Sequence, residues 1–265
     1  MRKARRIVTW LLTFIAVFYL AAVALVWSLQ GRFIYPAPPV QAGVPTDFER
    51  VTYGGADGIE IGAGYRPARE GMPTLLFFHG NGSSWQSTAY VTDRLAALGY
   101  GVLAASYRGY AGNDGSPSEQ GLYADGRAAY AFLRERGIPA ENIVLAGNSI
   151  GSGVATHLAT EAEARALVLI SPFDSLEETA SRAMRWLPVR TLLRDRYDNI
   201  GKLPGIAMPV LILHGEDDTL IRIDQARALA AARSDTKLVT YPSWGHDLVV
   251  HPPVQGEIAA FLQGR

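Results

Sequence analysis

The sequence predicts an α/β domain, a mostly parallel eight-stranded sheet with helices on both faces, preceded by one membrane-spanning helix. Three observations lead there. Short continuous apolar runs recur through the body of the chain, and a strand buried on both faces of a parallel sheet requires such a run rather than strict alternation. Stretches of helical character separate these runs, which is the pattern of repeated βα units. Finally, the 23 positions from Ile7 to Leu29 carry no charge.

The apolar runs are Thr74–Phe78, Val102–Ser106, Ile143–Ala146, Ala166–Ile170, Pro209–Leu213 and Lys237–Tyr241. Phe48–Tyr53 and Ile59–Arg66 flank a turn made of Gly54, Gly55 and Asp57-Gly58, and read as an opening hairpin. Helices are expected over Ala89–Leu98, Gly121–Arg136, Gly151–Thr160 and Asp224–Ala232. The connection from Ser171 to Pro209 uses nearly forty residues where about 2–6 and a helix would do. It sets Trp186, Leu187, Leu192 and Leu193 among Arg182, Arg185, Arg190, Arg194 and Arg196. We read it as a small helical cap, about 171–205, over the C-terminal edge of the sheet; an ordinary crossover helix with a basic face is the alternative.

A helix over Ile7–Leu29 would rise about 35 Å, enough to cross a hydrocarbon layer of about 30 Å. Arg2, Lys3, Arg5 and Arg6 precede it with no acid before Asp47, so the N-terminus belongs on the cytoplasmic side and the domain on the other. The alternative is a cleaved signal peptide with Ala22-Val23-Ala24 as its site. Against that reading, the apolar run continues through Leu25, Val26 and Trp27 and exceeds the usual h-region of about 7–15 residues. The expected division is therefore a signal anchor over 1–30, a tether over 31–47 holding Pro36, Pro38, Pro39 and Pro45, and the α/β domain over 48–265.

Formal net charge is zero, but four of the 25 basic residues lie in the N-terminal cluster, leaving 21 against 25 acidic ones. A mildly acidic body excludes nucleic acid as the natural partner. There is no cysteine, which excludes thiol nucleophiles, thiolate metal sites and disulfides. A helical H-E-x-x-H, a Walker sequence and a dinucleotide fingerprint are all missing, so no metal or cofactor is expected.

Gly147-Asn148-Ser149-Ile150-Gly151 follows one expected strand directly and opens a helix rich in small residues. A strand-to-helix turn that tight needs flanking glycines, holds Ser149 above the sheet and aims the Ile150 N–H at a developing oxyanion. Serine needs a base held by a third group. Five histidines compete. His79 and His214 end strands before glycine and suit packed, loop-bracing roles; His157 lies on the helix behind the serine; His251 precedes two prolines. His246, in Ser243-Trp244-Gly245-His246-Asp247 after the last strand, is the candidate base. The acid belongs after the penultimate strand, in Leu213-His214-Gly215-Glu216-Asp217-Asp218-Thr219. Asp217 and Asp218 compete there; Asp218 is preferred because Thr219-Leu220-Ile221 turns directly after it, and Asp174 is the runner-up. A second oxyanion donor is expected at the Asn81 N–H, within His79-Gly80-Asn81-Gly82-Ser83. Asn81-Gly82-Ser83 also fits a glycosylation acceptor, set aside because a glycan would block the mouth of such a site.

These stretches resemble the α/β-hydrolase superfamily over nearly all of Phe48–Leu262, and look most like its membrane-anchored branch that includes protein depalmitoylases. The resemblance rests on FFHGNGSS, SYRGYAGNDGSPSEQGLYAD, GNSIGSGVA, LPVRTLLRDRYDNI, LHGEDDTLI and SWGHDL, in that order. It implies an α/β-hydrolase fold and a cofactor-free hydrolase with Ser149, Asp218 and His246 as its triad and Asn81 and Ile150 as oxyanion donors. Implied substrates are carboxylic esters, thioesters or lipid-like acyl compounds, or peptide bonds in cousins. Ser152 stands where relatives often have glycine. The rival readings are an aminopeptidase-like amide hydrolase and a non-catalytic binding protein on the same fold.

Overall fold

Apolar strands and amphipathic helices condense into one eight-stranded sheet with a helical layer on each face. The computed structural model describes residues 2–38, 43–55 and 57–264. The strands are β1 (Glu49–Gly54), β2 (Glu60–Arg66), β3 (Thr74–Phe78), β4 (Gly101–Ala105), β5 (Ile143–Asn148), β6 (Ala166–Ile170), β7 (Val210–Gly215) and β8 (Lys237–Tyr241). Their spatial order is β1-β2-β4-β3-β5-β6-β7-β8. Only β2 runs against its neighbours β1 and β4; all pairs from β3–β4 to β7–β8 are parallel. The expected fold class is thereby met.

Alternate side chains of each strand face opposite layers. Leu76, Phe78, Leu145 and Leu169 join one core with α4 (Glu119–Glu135), α5 (Ile150–Leu158) and α9 (Ile223–Ala232). Leu75, Phe77, Val144 and Val168 join the other with α2 (Trp85–Val91), α3 (Asp93–Ala97) and α10 (Pro252–Gln263). The expected helix over Ala89–Leu98 is thus two. Thr92 between them is non-helical, its hydroxyl donating to the Thr88 carbonyl at 2.7 Å, a local bond that competes with the helix ladder. Helix α10 lies where no helix was expected, in the segment where Pro252 and Pro253 follow His251. They occupy its first turn, where a missing N–H removes nothing, and Val254, Ile258, Phe261 and Leu262 form its buried stripe.

The long β6–β7 connection forms a cap of three short helices, α6 (Leu176–Ala183), α7 (Val189–Leu192) and α8 (Asn199–Lys202). The N-terminal helix α1 spans Arg2–Ile34, and its 18-residue apolar window, of mean hydropathy 2.3, is unburied. It therefore runs past the expected boundary at Gln30, and the tether does not begin at Gly31. The reason is docking. The Gln30 Nε2 donates to the Leu192 carbonyl at 3.3 Å, its Oε1 accepts from the Arg194 N–H at 2.9 Å, and the Arg194 guanidinium lies 4.0 Å from the Trp27 ring centroid. Tyr35 follows into the core, its hydroxyl 3.0 Å from that of Tyr197. Pro39 of the expected tether lies outside the described residues.

A buried ion pair ties the loop after β4 to α4. The Arg108 N–H and guanidinium donate to the Asp125 carboxylate at 2.7–3.1 Å, and its Nη1 reaches Asp57. Burial pushes the Asp125 carboxyl up, against the hold of Arg108. Removing one partner strands the other charge inside the protein, so Asp125→Asn should lower unfolding stability by about 3–5 kcal/mol. Chemical denaturation that shows less than 1 kcal/mol would contradict this role.

Candidate active site

Backbone strain and close packing set the position of Ser149. It lies between β5 and α5 at φ 52°, ψ −119°, a left-handed conformation that non-glycine residues adopt at a cost of about 1–3 kcal/mol. The turn admits no side chain at its flanks. A Cβ on Gly147 would lie 2.2 Å from the Gly151 carbonyl oxygen, and one on Gly151 would lie 2.1 Å from that of Phe78. The Ser149 N–H donates to the Ile170 carbonyl at 3.0 Å, tying the turn to β6, and the hydroxyl of buried Ser152 donates to the Ser149 carbonyl at 2.6 Å. Ile150 is the first residue of α5, where backbone N–H groups have no partner within the helix.

His246 follows β8, its carbonyl 3.4 Å from the Ser171 hydroxyl that donates to it. Its Nε2 lies 3.0 Å from Ser149 Oγ and its Nδ1 2.8 Å from Asp218 Oδ2. A carboxylate only accepts, so Nδ1 carries the proton and Nε2 is left to accept from the serine hydroxyl. Asp218 is 4% exposed, and its Oδ1 accepts from the N–H groups of Leu220 and Ile221 at 2.9 and 2.8 Å. Burial opposes ionisation of this carboxyl, yet the hydrogen bond and charge of His246, the Ile221 N–H and the nearby His214 together outweigh it. The carboxyl therefore lies below the usual carboxylate range. Asp217 is exposed and uses its N–H on the Trp244 carbonyl. Asp174 accepts from the Ser175 N–H beside the cap. So Ser149, His246 and Asp218 form one hydrogen-bonded row, and Asp217 and Asp174 stand outside it.

The other histidines are packed or paired elsewhere. His214 is buried, with Nε2 on the Ile221 carbonyl at 2.8 Å. His157 stacks on Tyr123 at 3.6 Å, and His251 on Trp244 at 4.3 Å. His79 is 1% exposed and donates from Nδ1 to the Gly80 carbonyl at 2.9 Å, while its Nε2 meets no partner. Burial pushes its pKa down to about 4. Between about pH 6.5 and 4 the unfolded chain therefore binds a proton that the folded one refuses. His79 contributes stability that is full above pH 6.5 and falls away as pH drops toward 4, up to about 3 kcal/mol. Denaturation at pH 7.5 and 4.5 should show a smaller acid loss in His79→Gln than in the parent; equal losses would remove His79 from the account.

The loop that carries Asn81 is held by groups to which sequence reading gave no role. The Tyr107 hydroxyl donates to the His79 carbonyl at 2.9 Å and that of Tyr110 to Asn81 Oδ1 at 2.7 Å. Asn81 Nδ2 donates to the Ile34 carbonyl at 2.6 Å, and the Gly82 N–H to that of Pro36 at 3.1 Å. Thus the end of α1 is bonded directly to the loop beside Ser149. Both tyrosines lie in SYRGYAGNDGSPSEQGLYAD, whose tyrosine spacing was the available signal. Among the described residues, no group of three His, Cys, Asp or Glu side chains is arranged to hold a metal ion.

Comparison with known proteins finds relatives of this chain. Residues 72–201 match the family described as serine aminopeptidase, S33. Uncharacterized protein Rv2307c of Mycobacterium tuberculosis (strain ATCC 25618 / H37Rv) is 37% identical over 231 residues, covering 84% of this chain and 82% of that protein. Human alpha/beta hydrolase domain-containing protein 17B is 35% identical over 158 residues, 59% of this chain and 54% of that protein, so the match spans about half its length. Among solved structures, the Pyrococcus furiosus esterase Pf2001 aligns at a TM-score of 0.71 with 19% identity, over 86% of this chain and 97% of that one. An alpha-beta hydrolase from Vibrio vulnificus aligns at 0.69 with 23% identity, over 83% and 81%. At those identities the structures speak for the fold, while the sequence relatives carry the family. The chain is a hydrolase of the α/β-hydrolase superfamily.

Proposed function

We propose that this chain is a serine hydrolase that cleaves carboxylic esters or thioesters through an acyl-enzyme on Ser149. The observation that carries the reading is the row from Ser149 Oγ through His246 to Asp218, at 3.0 and 2.8 Å. Ser149 Oγ attacks the acyl carbon while His246 Nε2 takes its proton, and Asp218 orients and stabilises the resulting imidazolium. The carbonyl oxygen gains charge in that step and is met by the N–H groups of Ile150 and Asn81. His246 returns the proton to the departing alcohol or thiol. Water, activated by the same imidazole, then releases the acid and frees Ser149. A serine rather than a carboxylate at the turn argues against haloalkane and epoxide substrates.

The test is fluorophosphonate labelling of the purified full chain followed by peptide mapping. Labelling is expected at Ser149; labelling at another residue, or none, would sink the assignment. The match to a family described as serine aminopeptidase favours amide hydrolysis as the second reading. Matched p-nitrophenyl ester and aminoacyl p-nitroanilide panels separate the two, with the ester turned over faster under our reading. As to placement, the basic cluster in the first turns of α1 supports a cytoplasmic N-terminus and a hydrolase domain on the opposite side of the membrane.

A further inference from the structure

The exit of α1 reaches both elements that carry the N–H groups of the proposed reaction. One is the loop of Asn81 after β3, and the other is α5, which opens with Ile150. The loop passes directly over the nucleophile: a Cβ on Gly80 would lie 3.2 Å from the Ser149 Cβ and 2.9 Å from Asn148 Nδ2. Beyond Gly80, the Asn81 carboxamide is engaged at both ends. Its Nδ2 donates to the Ile34 carbonyl at 2.6 Å, and its Oδ1 accepts from the Tyr110 hydroxyl at 2.7 Å. The next N–H, that of Gly82, donates to the Pro36 carbonyl at 3.1 Å. An amide that donates to one fixed group and accepts from another is held in orientation, and its own backbone N–H with it. Tyr110 is a firm support, being buried with its ring edge-on to Tyr107 and His79 at 5.5 and 5.6 Å.

Tyr35, between the two carbonyls, reaches the second element. Its hydroxyl lies 3.0 Å from that of Tyr197, and both tyrosines are buried. Tyr197 packs on α5, where a Cβ on Gly153 would lie 2.5 Å from its Cδ1. Gly153 follows Ile150 on the first turn of that helix. Ile34-Tyr35-Pro36 thus joins the loop of Asn81 to the helix of Ile150. The separation of two N–H donors decides how well they meet a developing oxyanion.

We infer that the exit of α1 sets the spacing of these two donors, with Tyr35 and Tyr110 as positioning residues. The inference rests on the serine-hydrolase reading and gives the end of the apolar helix a part in catalysis. Bonds to the oxyanion strengthen as charge develops, so a displaced donor costs rate rather than substrate binding. A displacement of about 1 Å is enough for a loss of about 100-fold.

Full-chain Tyr110→Phe and Tyr35→Phe in detergent micelles test this with p-nitrophenyl butyrate, kcat being expressed per serine titrated by a fluorophosphonate. Each should lose about 10- to 100-fold in kcat with KM within about twofold of the parent. An alkyl trifluoromethyl ketone, whose hemiketal oxyanion takes the place of the transition-state oxygen, should bind more weakly by the same factor. Unchanged kcat per titrated serine and unchanged ketone affinity in either variant overturn the inference, even where thermal stability falls. A hydroxyl that only holds the fold lowers the fraction titrated and not the rate of each intact site. A loss confined to KM overturns it as well. Asn81→Ala keeps the backbone N–H and frees both ends of the clamp. It should lose at least as much as Tyr110→Phe, and the double variant no more than Asn81→Ala alone; additive losses show that Tyr110 acts elsewhere. Absence of fluorophosphonate labelling in the parent strikes the serine reading instead.

Discussion

Ser149→Ala is expected to lower kcat/KM for p-nitrophenyl butyrate by about 10⁴- to 10⁶-fold, the range in which loss of an acyl-transfer nucleophile falls. That is about 5–8 kcal/mol of transition-state stabilisation. The effect is expected to be large because in the proposed mechanism the hydroxyl forms the new bond; its side-chain partner is His246 Nε2 at 3.0 Å. Folding should hardly notice. Alanine retains the Cβ that the φ of 52° already accommodates, and the close contacts of the turn come from Gly147 and Gly151 rather than from Oγ. Thermal unfolding should therefore shift by no more than a few degrees while activity vanishes. A variant that keeps a tenth of the parent rate would remove Ser149 from the chemistry. One that loses activity and unfolds far below the parent would show instead that the hydroxyl is structural.

The second large effect separates two adjacent carboxylates. Asp218→Asn should lower kcat by about 10⁴-fold, whereas Asp217→Asn should change it by about twofold at most. Asp218 accepts on both oxygens, from His246 Nδ1 on one and from the Leu220 and Ile221 N–H groups on the other. An amide has one accepting oxygen. If that oxygen keeps the backbone pair, its NH₂ faces Nδ1 and forces the proton onto Nε2, where the imidazole can no longer accept from serine. Asp217 is exposed and contributes only its backbone N–H. Equal losses in the two variants would show that the acid acts through the loop rather than through the ring. Because the Asp218 carboxyl lies below the ordinary range, its stabilising contribution is complete above the usual carboxylate pKa. It is lost only as pH falls through that lower value. Loss of stability between pH 6.5 and 4.5 should therefore trace to His79 and the other histidines that burial holds down, His157 and His214, rather than to Asp218.

Much of this architecture is readable along the chain because its causes are local. A run such as Leu75-Leu76-Phe77-Phe78 has apolar side chains for both faces of a sheet, and every strand expected from such a run lies in the one sheet. The glycines around Ser149 announce a turn that tolerates no Cβ. Where local cues mislead, a neighbouring group is responsible. Prolines open α10 where no helix was expected, and the burial of Val254 and Ile258 holds it. Thr92 divides an expected helix by bonding its own Thr88 carbonyl.

The choice between Asp217 and Asp218 has a different character, since adjacent carboxylates have the same composition. The folding of β7 against the loop that follows β8 turns one side chain toward the imidazole and leaves its neighbour in water. The bonds that join α1 to the body belong to the same kind. The Ile34 and Pro36 carbonyls, the Gln30 amide and the Tyr107 and Tyr110 hydroxyls find partners 28 to 164 residues away. Backbone groups are identical at every position and carry no pattern of their own. Strand, helix and turn follow from the order of side chains, whereas the pairing of one carbonyl with one distant amide exists only once packing has set both in place.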